Sequence, residues 1–329
     1  MPQYERLALL SGNAHPSLAQ AIAAHINRQL GQINVSQFRD GESHVQILDD
    51  VRGSDLFLIQ PTSPSVNQHL MELLVMIDAA KRASAGRITA VLPYYGYARQ
   101  EKKTNGREPI SAKLVANLLT VAGADRILTM DLSAPAIEGF FDIPVDHLSA
   151  IPLLMQHVAA LQLENVVVVA PDVGAVQRAD QARRLLANRP LAILFKDRPE
   201  PDEVEVESMV GEVEGCTVLL VDDLISTGNT LIAAAQMLKA RGAQRVIAVA
   251  THGVFAERAV DNLAASPIER TIVTDTIPLE TGAPHIEVVS IAPMLAEVIN
   301  RIHYGISVSD LIRSIGDAER QQMAYPSRR

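Results

Sequence analysis

The chain has 329 residues, 48% apolar and 4% aromatic, with no tryptophan, and 29 basic against 38 acidic side chains give a formal charge of −9. The length allows two ordinary domains, and the scarcity of rings and the acidic balance argue against an aromatic-stacking or general phosphate-backbone nucleic-acid binder. A single cysteine, Cys216, excludes a disulfide framework and a thiolate zinc cluster.

No apolar run approaches the roughly 18 residues of a spanning helix, and the opening MPQYERLALLSGN lacks a secretory apolar region. The expectation is a soluble cytoplasmic protein with no membrane or nucleic-acid partner. Cys216 reads as a small buried apolar residue.

In chain order, short β-branched runs fall at Arg6–Leu10, Asp55–Ile59, Ile88–Leu92, Arg126–Met130, Asn165–Ala170, Cys216–Val221 and Arg245–Thr251. Helical patterns lie between them at Leu18–Leu30, Val66–Ala85, Ala112–Ala122, Asp180–Arg184 and Leu231–Arg241. Continuous apolar strands alternating with helices predict an α/β fold with mostly parallel sheets covered on both faces. The order repeats after about residue 148, so the chain reads as two similar halves with a break near Asp146–Pro152. The acidic, proline-rich stretch Asp197–Glu207 reads as a mobile loop, and the polar tail Asp317–Arg329 as frayed.

The strongest local pattern is TVLLVDDLISTGNT, Thr217–Thr230. A buried strand ends in Asp222 and Asp223, and the turn Ser226-Thr227-Gly228-Asn229-Thr230 leads into a helix. Ligands of open α/β sheets sit beyond the carboxyl ends of the strands. Backbone amides of a small-residue turn at a helix N-terminus suit a phosphate, and Thr227 and Thr230 add hydroxyl donors. Two adjacent acids suit neighbouring hydroxyls, as on a ribose. An ordinary N-capped turn would use the same residue types. The segment resembles the ribose-phosphate loop of the phosphoribosyltransferase fold.

Elsewhere, Arg99 and Gln100 follow the strand and the turn Pro93-Tyr94-Tyr95-Gly96-Tyr97. A guanidinium and an amide there suit phosphate and adenine edges. Phe38 can cover a base or pack in the core; Asp40 and Glu42 can accept from an amine or a ribose. Gly41 and Gly96 would let backbone approach a ligand. Asp172, after the strand VVVVA, suits a Mg²⁺ ligand or simply a turn. Lys196 and Arg198 open the acidic loop, either as solvated charges or as cations that close over transferring phosphates. His15, His44, His147 and His252 show no metal-ligand spacing, and His252 is a candidate neighbour of the second-half site.

Long runs carry a wider resemblance. They are Phe38–Ser43, Gln60–Lys103, Arg107–Leu132, Gly139–Leu148, Thr251–Phe255, Thr274–Pro278 and Ser307–Leu311. Together they resemble the ribose-phosphate pyrophosphokinase family over nearly the whole chain. The resemblance implies two phosphoribosyltransferase-like domains. Residues 1–148 would form the ATP-side domain, residues 149–305 the ribose-5-phosphate domain, and residues 306–329 a segment packing back on the first. It implies pyrophosphoryl transfer from Mg-ATP to the anomeric hydroxyl of ribose 5-phosphate, by a homo-oligomer, a hexamer built from dimers.

Carried over position by position, ATP contacts fall on Phe38, Asp40, Gly41, Glu42, Arg99 and Gln100, and the catalytic cations on Lys196 and Arg198. Ribose 5-phosphate falls on Arg198, Asp222, Asp223 and Ser226–Thr230, and metal on Asp172. Arg52, Arg107, Ser307 and Ser309 match positions associated with allostery by phosphate and ADP, with Asp50 adding a negative charge nearby. The chain departs from the family pattern at Ser133, where a metal-holding His is usual; at Ser226, where an Asp is usual; and in the catalytic loop, where Asp197 separates the two cations. Serine is a poor Mg²⁺ ligand but can hold a bound water. These departures leave two alternatives: a non-catalytic regulatory paralogue that binds an active synthetase, and an enzyme with a shifted acceptor or nucleotide donor.

Overall fold

The computed structural model describes residues 4–197, 205–279 and 283–311. Its described residues form two compact units: one takes the chain up to Ser149 with Thr276–Pro278 and Ile291–Asp310, the other takes residues 150–275 and 279–290.

The first unit opens with β1 (Leu7–Ser11), α1 (Pro16–His25), β2 (Ile33–Gln37), β3 (Ser43–Ile47) and β4 (Asp55–Ile59). It continues through α2 (Val66–Arg82), β5 (Arg87–Leu92), α3 (Ser111–Ala122), β6 (Arg126–Met130) and β7 (Val145–Leu148). Five strands pair in the order β1-β4-β5-β6-β7, all parallel, and β2 and β3 form a separate antiparallel ribbon. Every residue of β4, DLFLI, is buried, as a strand covered on both faces requires. On α2 the buried Leu70, Leu73, Met76, Ile77 and Ala80 recur every three or four residues, giving one apolar stripe for the sheet. Helix α1 stops at His25, short of the expected Leu30, because Ile26 caps it and Asn27 turns to a φ of 57°.

The second unit holds α4 (Ile151–Ala160), β8 (Val166–Ala170), α5 (Val176–Leu185), β9 (Leu191–Asp197), β10 (Glu205–Val210), β11 (Thr217–Ile225), α6 (Asn229–Ala240), β12 (Arg245–Gly253), α7 (Ala259–Ala264), β13 (Arg270–Thr274) and β14 (Ile286–Val289). The seven-stranded sheet runs β10-β9-β8-β11-β12-β13-β14, parallel except for the β10–β9 edge. The parallel α/β architecture expected from the strand–helix alternation is present in both units. Cys216 is half-buried and precedes β11, its thiol near the Glu214 carbonyl at 3.4 Å, so the expectation of a fully buried strand residue is corrected.

The last helix, α8 (Ala292–Tyr304), belongs to the first unit and packs on α1. Residues 291–305, expected in the second half, therefore return to the first. A buried ion cluster holds them. The carboxylate of Asp55, fully buried, accepts two bonds from Arg87 at 2.8 and 2.7 Å and one from His303 Nδ1 at 2.9 Å. Arg87 also donates to the Ile302 carbonyl at 3.1 Å. Removing one partner of a buried charge pair leaves the other uncompensated, at about 3–5 kcal/mol. Asp55→Ala is expected to lose stability of that order in urea unfolding; a loss under about 1 kcal/mol would contradict the clamp's role.

Candidate active site

Strand β11 sets the geometry of the second unit's site. It does not end at Asp222, as the sequence suggests, but runs on to Ile225. Pairing explains the difference: β8 accompanies it only from Thr217 to Leu220, while β12 follows it to Ile225↔Gly253. Asp222 and Asp223 thus sit on a strand segment with a neighbour on one side, at the carboxyl edge of the parallel sheet.

Both acids are largely enclosed, with side chains 15% and 16% exposed. The Asp223 amide donates to Asp222 Oδ1 at 2.9 Å. One cation serves both: Arg178 Nη1 lies 3.5 Å from Asp222 Oδ1 and 3.7 Å from Asp223 Oδ1. Burial, then the adjacent Asp223 charge, pushes the Asp222 carboxyl well above the usual carboxylate range. Burial also acts to raise Asp223, but the Arg178 charge, the hydrogen bond with Asp222 and nearby His252 outweigh it and hold Asp223 below that range. The two carboxyls are thus driven in opposite directions, Asp222 toward holding its proton and Asp223 toward losing it. Asp172, at the end of β8, contributes a third negative charge that raises Asp222 further.

Arg178 was not singled out by sequence reasoning. It lies in the first turn of α5, where a cation opposes the helix dipole. A cation in the first turn of a helix was the one hint in the sequence, and it does not say which anions stand opposite. His252, buried on β12 beside Leu224, lies close enough to Asp223 to lower its pKa.

Beyond Ile225 the chain turns through Ser226 and Thr227 into α6. Gly228 sits at the N-cap with φ 80°, the left-handed region that an L side chain rarely adopts, and no side chain caps the helix. The first-turn amides of a helix have no carbonyl ahead of them. They open toward the same strand edge as the acids. Segment Val254–Ala256 folds back, its amides donating to the Ile225 and Ser226 carbonyls at 3.0–3.1 Å, and fixes the turn from behind. Ser226, Thr227 and Thr230 are partly buried, and Asn229 is exposed. Asp172 Oδ1 accepts from the Ala175 amide at 3.1 Å, so one oxygen holds its turn. Among the described residues no group of three or more His, Cys, Asp or Glu is arranged to hold a metal unaided.

The segment read as a mobile loop is flanked by a hairpin. Strand β9 continues to Asp197, and β10 returns from Glu205, pairing Asp197↔Glu205 and Lys196↔Val206. The main chain of Lys196 therefore sits at the carboxyl end of β9. Arg198 lies outside the described residues, as does the tail Asp317–Arg329.

In the first unit the other candidates divide into separate places. Phe38, Asp40, Gly41 and Glu42 form the tip between β2 and β3 and are exposed. The Phe38 amide donates to the Glu42 carbonyl at 2.9 Å, and Asp40 Oδ1 accepts from the Glu42 amide at 3.2 Å. Phe38 is not a core residue: it is 54% exposed, and its ring meets the His44 ring edge-on at 5.0 Å. Arg99, exposed, and Gln100, half-buried, follow β5 at the carboxyl edge of the sheet. Among the described residues, no hydrogen bond, ion pair or ring contact joins that tip to Arg99 or Gln100. Gly96 serves the protein's own packing, because a Cβ there would meet the Thr62 carbonyl at 2.5 Å.

Ser133 follows β6, half-buried. Near it, His147 Nε2 accepts from the Leu132 amide at 2.9 Å and Nδ1 faces Glu138 at 2.5 Å, so both ring nitrogens hold the loop. Arg52 and Arg107 are exposed, Arg107 with a φ of 69°; the Ser307 carbonyl accepts from Arg301 at 2.9 Å and its hydroxyl from the Asp310 amide at 3.2 Å; Ser309 lies between them in chain order.

A parallel sheet whose carboxyl edge carries paired acids and an open helix N-terminus suits an enzyme that handles a phosphorylated sugar. Comparison with known proteins gives the family. A family model described as the N-terminal domain of ribose phosphate pyrophosphokinase matches residues 7–123, and one described as the phosphoribosyl synthetase-associated domain matches residues 196–313. A ribose-phosphate pyrophosphokinase of Chromobacterium violaceum is 50% identical over 315 residues, 94% of this chain and 96% of the relative. That of Thermotoga maritima is 51% identical over 312 residues, 93% of this chain and 98% of the relative. The crystal structure of phosphoribosylpyrophosphate synthetase from Mycobacterium smegmatis superposes with a TM-score of 0.85 at 44% identity, covering 91% of this chain and 99% of that one. The chain belongs to the ribose-phosphate pyrophosphokinase family and is an enzyme of the transferase class. None of these relatives favours the non-catalytic paralogue.

Proposed function

We propose that the chain transfers the pyrophosphoryl group of Mg-ATP to the anomeric hydroxyl of ribose 5-phosphate, giving phosphoribosyl pyrophosphate and AMP. The anomeric oxygen attacks the β-phosphorus, the bond from that phosphorus to the α,β-bridging oxygen breaks, AMP departs with that oxygen, and the hydroxyl proton is released. The observation that carries the reading is the β11–α6 connection: paired acids for ribose hydroxyls, then an uncapped helix N-terminus for the 5-phosphate. Ser226 in place of an acid supports phosphate binding, since a neutral hydroxyl repels it less. Lys196 and Arg198 would stabilise charge developing on the transferred and leaving phosphates. Arg99 and Gln100, with Phe38, Asp40, Gly41 and Glu42, would bind ATP. ATP radiolabelled at its β-phosphorus should leave the label on the sugar product, not on AMP; label retained on the nucleotide would contradict the reading.

The enclosed acids Asp222, Asp223 and Asp172, where burial and then mutual repulsion raise Asp222, fit a divalent cation whose charge would offset that repulsion. Asp172 would hold Mg²⁺ in the second unit, with waters and phosphate oxygens completing its shell. Bound Mg²⁺ supplies neutralisation of the polyphosphate. Ser133 offers at most a water-mediated contact where the family usually carries a His. Ser133→His is therefore expected to lower the Mg²⁺ concentration for half-maximal rate by severalfold; an unchanged Mg²⁺ dependence would remove position 133 from metal binding.

A cytoplasmic homo-oligomer, a hexamer built from dimers, completes the proposal. The exposed Leu114, Leu118 and Val121 on α3 support a further buried face. Arg52, Arg107, Ser307 and Ser309 would bind phosphate or ADP as regulators. No helix among the described residues is long and apolar enough to cross a membrane.

A further inference from the structure

We propose that Ser111 is a positioning residue that holds the Gln100 carboxamide in place for the nucleotide, with its donor end left for the ligand. The proposal deepens the reading of Arg99–Gln100 as ATP contacts and rests on it.

The first turn of α3 is stitched to the turn carrying Arg99 and Gln100. Tyr95, buried, donates its hydroxyl to the Ala112 carbonyl at 2.8 Å. The Ala112 amide donates to the Gln100 carbonyl at 3.2 Å, and the Gln100 amide to the Tyr97 carbonyl at 3.3 Å. Those bonds hold the main chain. The side chain has its own tie: Ser111 Oγ donates to Gln100 Oε1 at 2.8 Å.

A carboxamide has an acceptor end and a donor end, and rotation about its last bond exchanges them. An untethered glutamine can therefore face a ligand donor or a ligand acceptor. With Oε1 bonded to Ser111, Nε2 has no protein partner among the described residues. Held this way, Gln100 offers N–H donors to the ligand, and the group that fits them is an acceptor: a ring nitrogen of adenine or a phosphate oxygen of ATP. A base that places a ring N–H at that point meets two donors face to face, which leaves both unpaired.

Ser111 suits the task because it is the first residue of α3, where its short side chain reaches back across the turn. The hydroxyl is dispensable to the helix, since alanine is the better helix former. Ser111→Ala should therefore fold, and its thermal midpoint is measured alongside the kinetics.

The experiment compares kcat and KM for ATP and for GTP, with ribose 5-phosphate saturating, in the wild type, Ser111→Ala, Ser111→Thr and Gln100→Ala. Ser111→Ala is expected to raise KM for ATP about fivefold, the size of one hydrogen bond, with kcat unchanged. Ser111→Thr, which keeps the hydroxyl, should restore the wild-type KM. A narrowed ATP-over-GTP preference in Ser111→Ala would place the acceptor on the base; an unchanged preference with the raised KM would place it on a phosphate. If Gln100→Ala raises KM and Ser111→Ala does not, the positioning role is overturned. If Gln100→Ala itself leaves KM unchanged, the ATP reading of Gln100 falls and takes the inference with it.

Discussion

Lys196→Ala is expected to lower turnover by about 10²–10³ while leaving KM for ATP near the wild-type value. Strand β9 is paired with β8 only as far as Ala170↔Ile193, so Lys196 lies beyond the last parallel pairing and is held from the other side by Val206 on β10. The main chain at Lys196 is thus held at the carboxyl end of β9, the edge of the parallel sheet that carries Asp222 and Asp223. Pyrophosphoryl transfer demands little covalent chemistry from the protein and much charge stabilisation. A cation that matters chiefly once charge develops between the phosphates contributes to kcat rather than to ground-state binding. Steady-state kinetics decides the matter: a rise in KM with turnover intact would make Lys196 a binding residue. The companion Asp197→Arg, which removes an acid from between the two cations, should leave activity unchanged or raise it.

Asp223→Ala should weaken ribose 5-phosphate binding by about 10²-fold, through loss of charged hydrogen bonds to the sugar, and leave ATP binding within about twofold. Asp223 is the ionised member of the pair, held so by Arg178. Titration calorimetry with each ligand separately checks this, and an equal loss for both would count against the assignment. The pair also predicts a pH dependence. Burial and the Asp223 charge favour the protonated form of Asp222, so a divalent cation at this edge competes with the proton there and its affinity should increase as pH rises through the Asp222 titration. Stability of the unliganded protein moves the other way. A carboxyl whose pKa is raised by folding contributes stability that is present below its unfolded pKa and is lost as pH rises through its folded one.

The sequence made the sheets legible because buried parallel strands are continuous apolar runs; DLFLI and VVVVA could be little else. The long helix α2 was legible from its apolar spacing. Three features were not. Strand β11 runs past its acids because β12, remote in sequence, keeps pairing after β8 stops. The acidic stretch after Asp197 looks like a solvated loop by composition, yet its two flanks find each other in an antiparallel pair. Helix α8 joins the first unit through Asp55, Arg87 and His303, and that contact spans 248 positions from Asp55 to His303. In the candidate site, the acids and the small-residue turn could be read directly from the order of residues. Arg178 and Ser111 could not, because each acts through a side chain that only the folded chain brings near.

The most direct measurement is the nucleotide formed when the purified protein is incubated with saturating Mg-ATP and ribose 5-phosphate. AMP is expected, in equimolar amount with phosphoribosyl pyrophosphate and dependent on the sugar phosphate. ADP in place of AMP, or no AMP at saturating Mg²⁺ with wild type and Ser133→His alike, would contradict it.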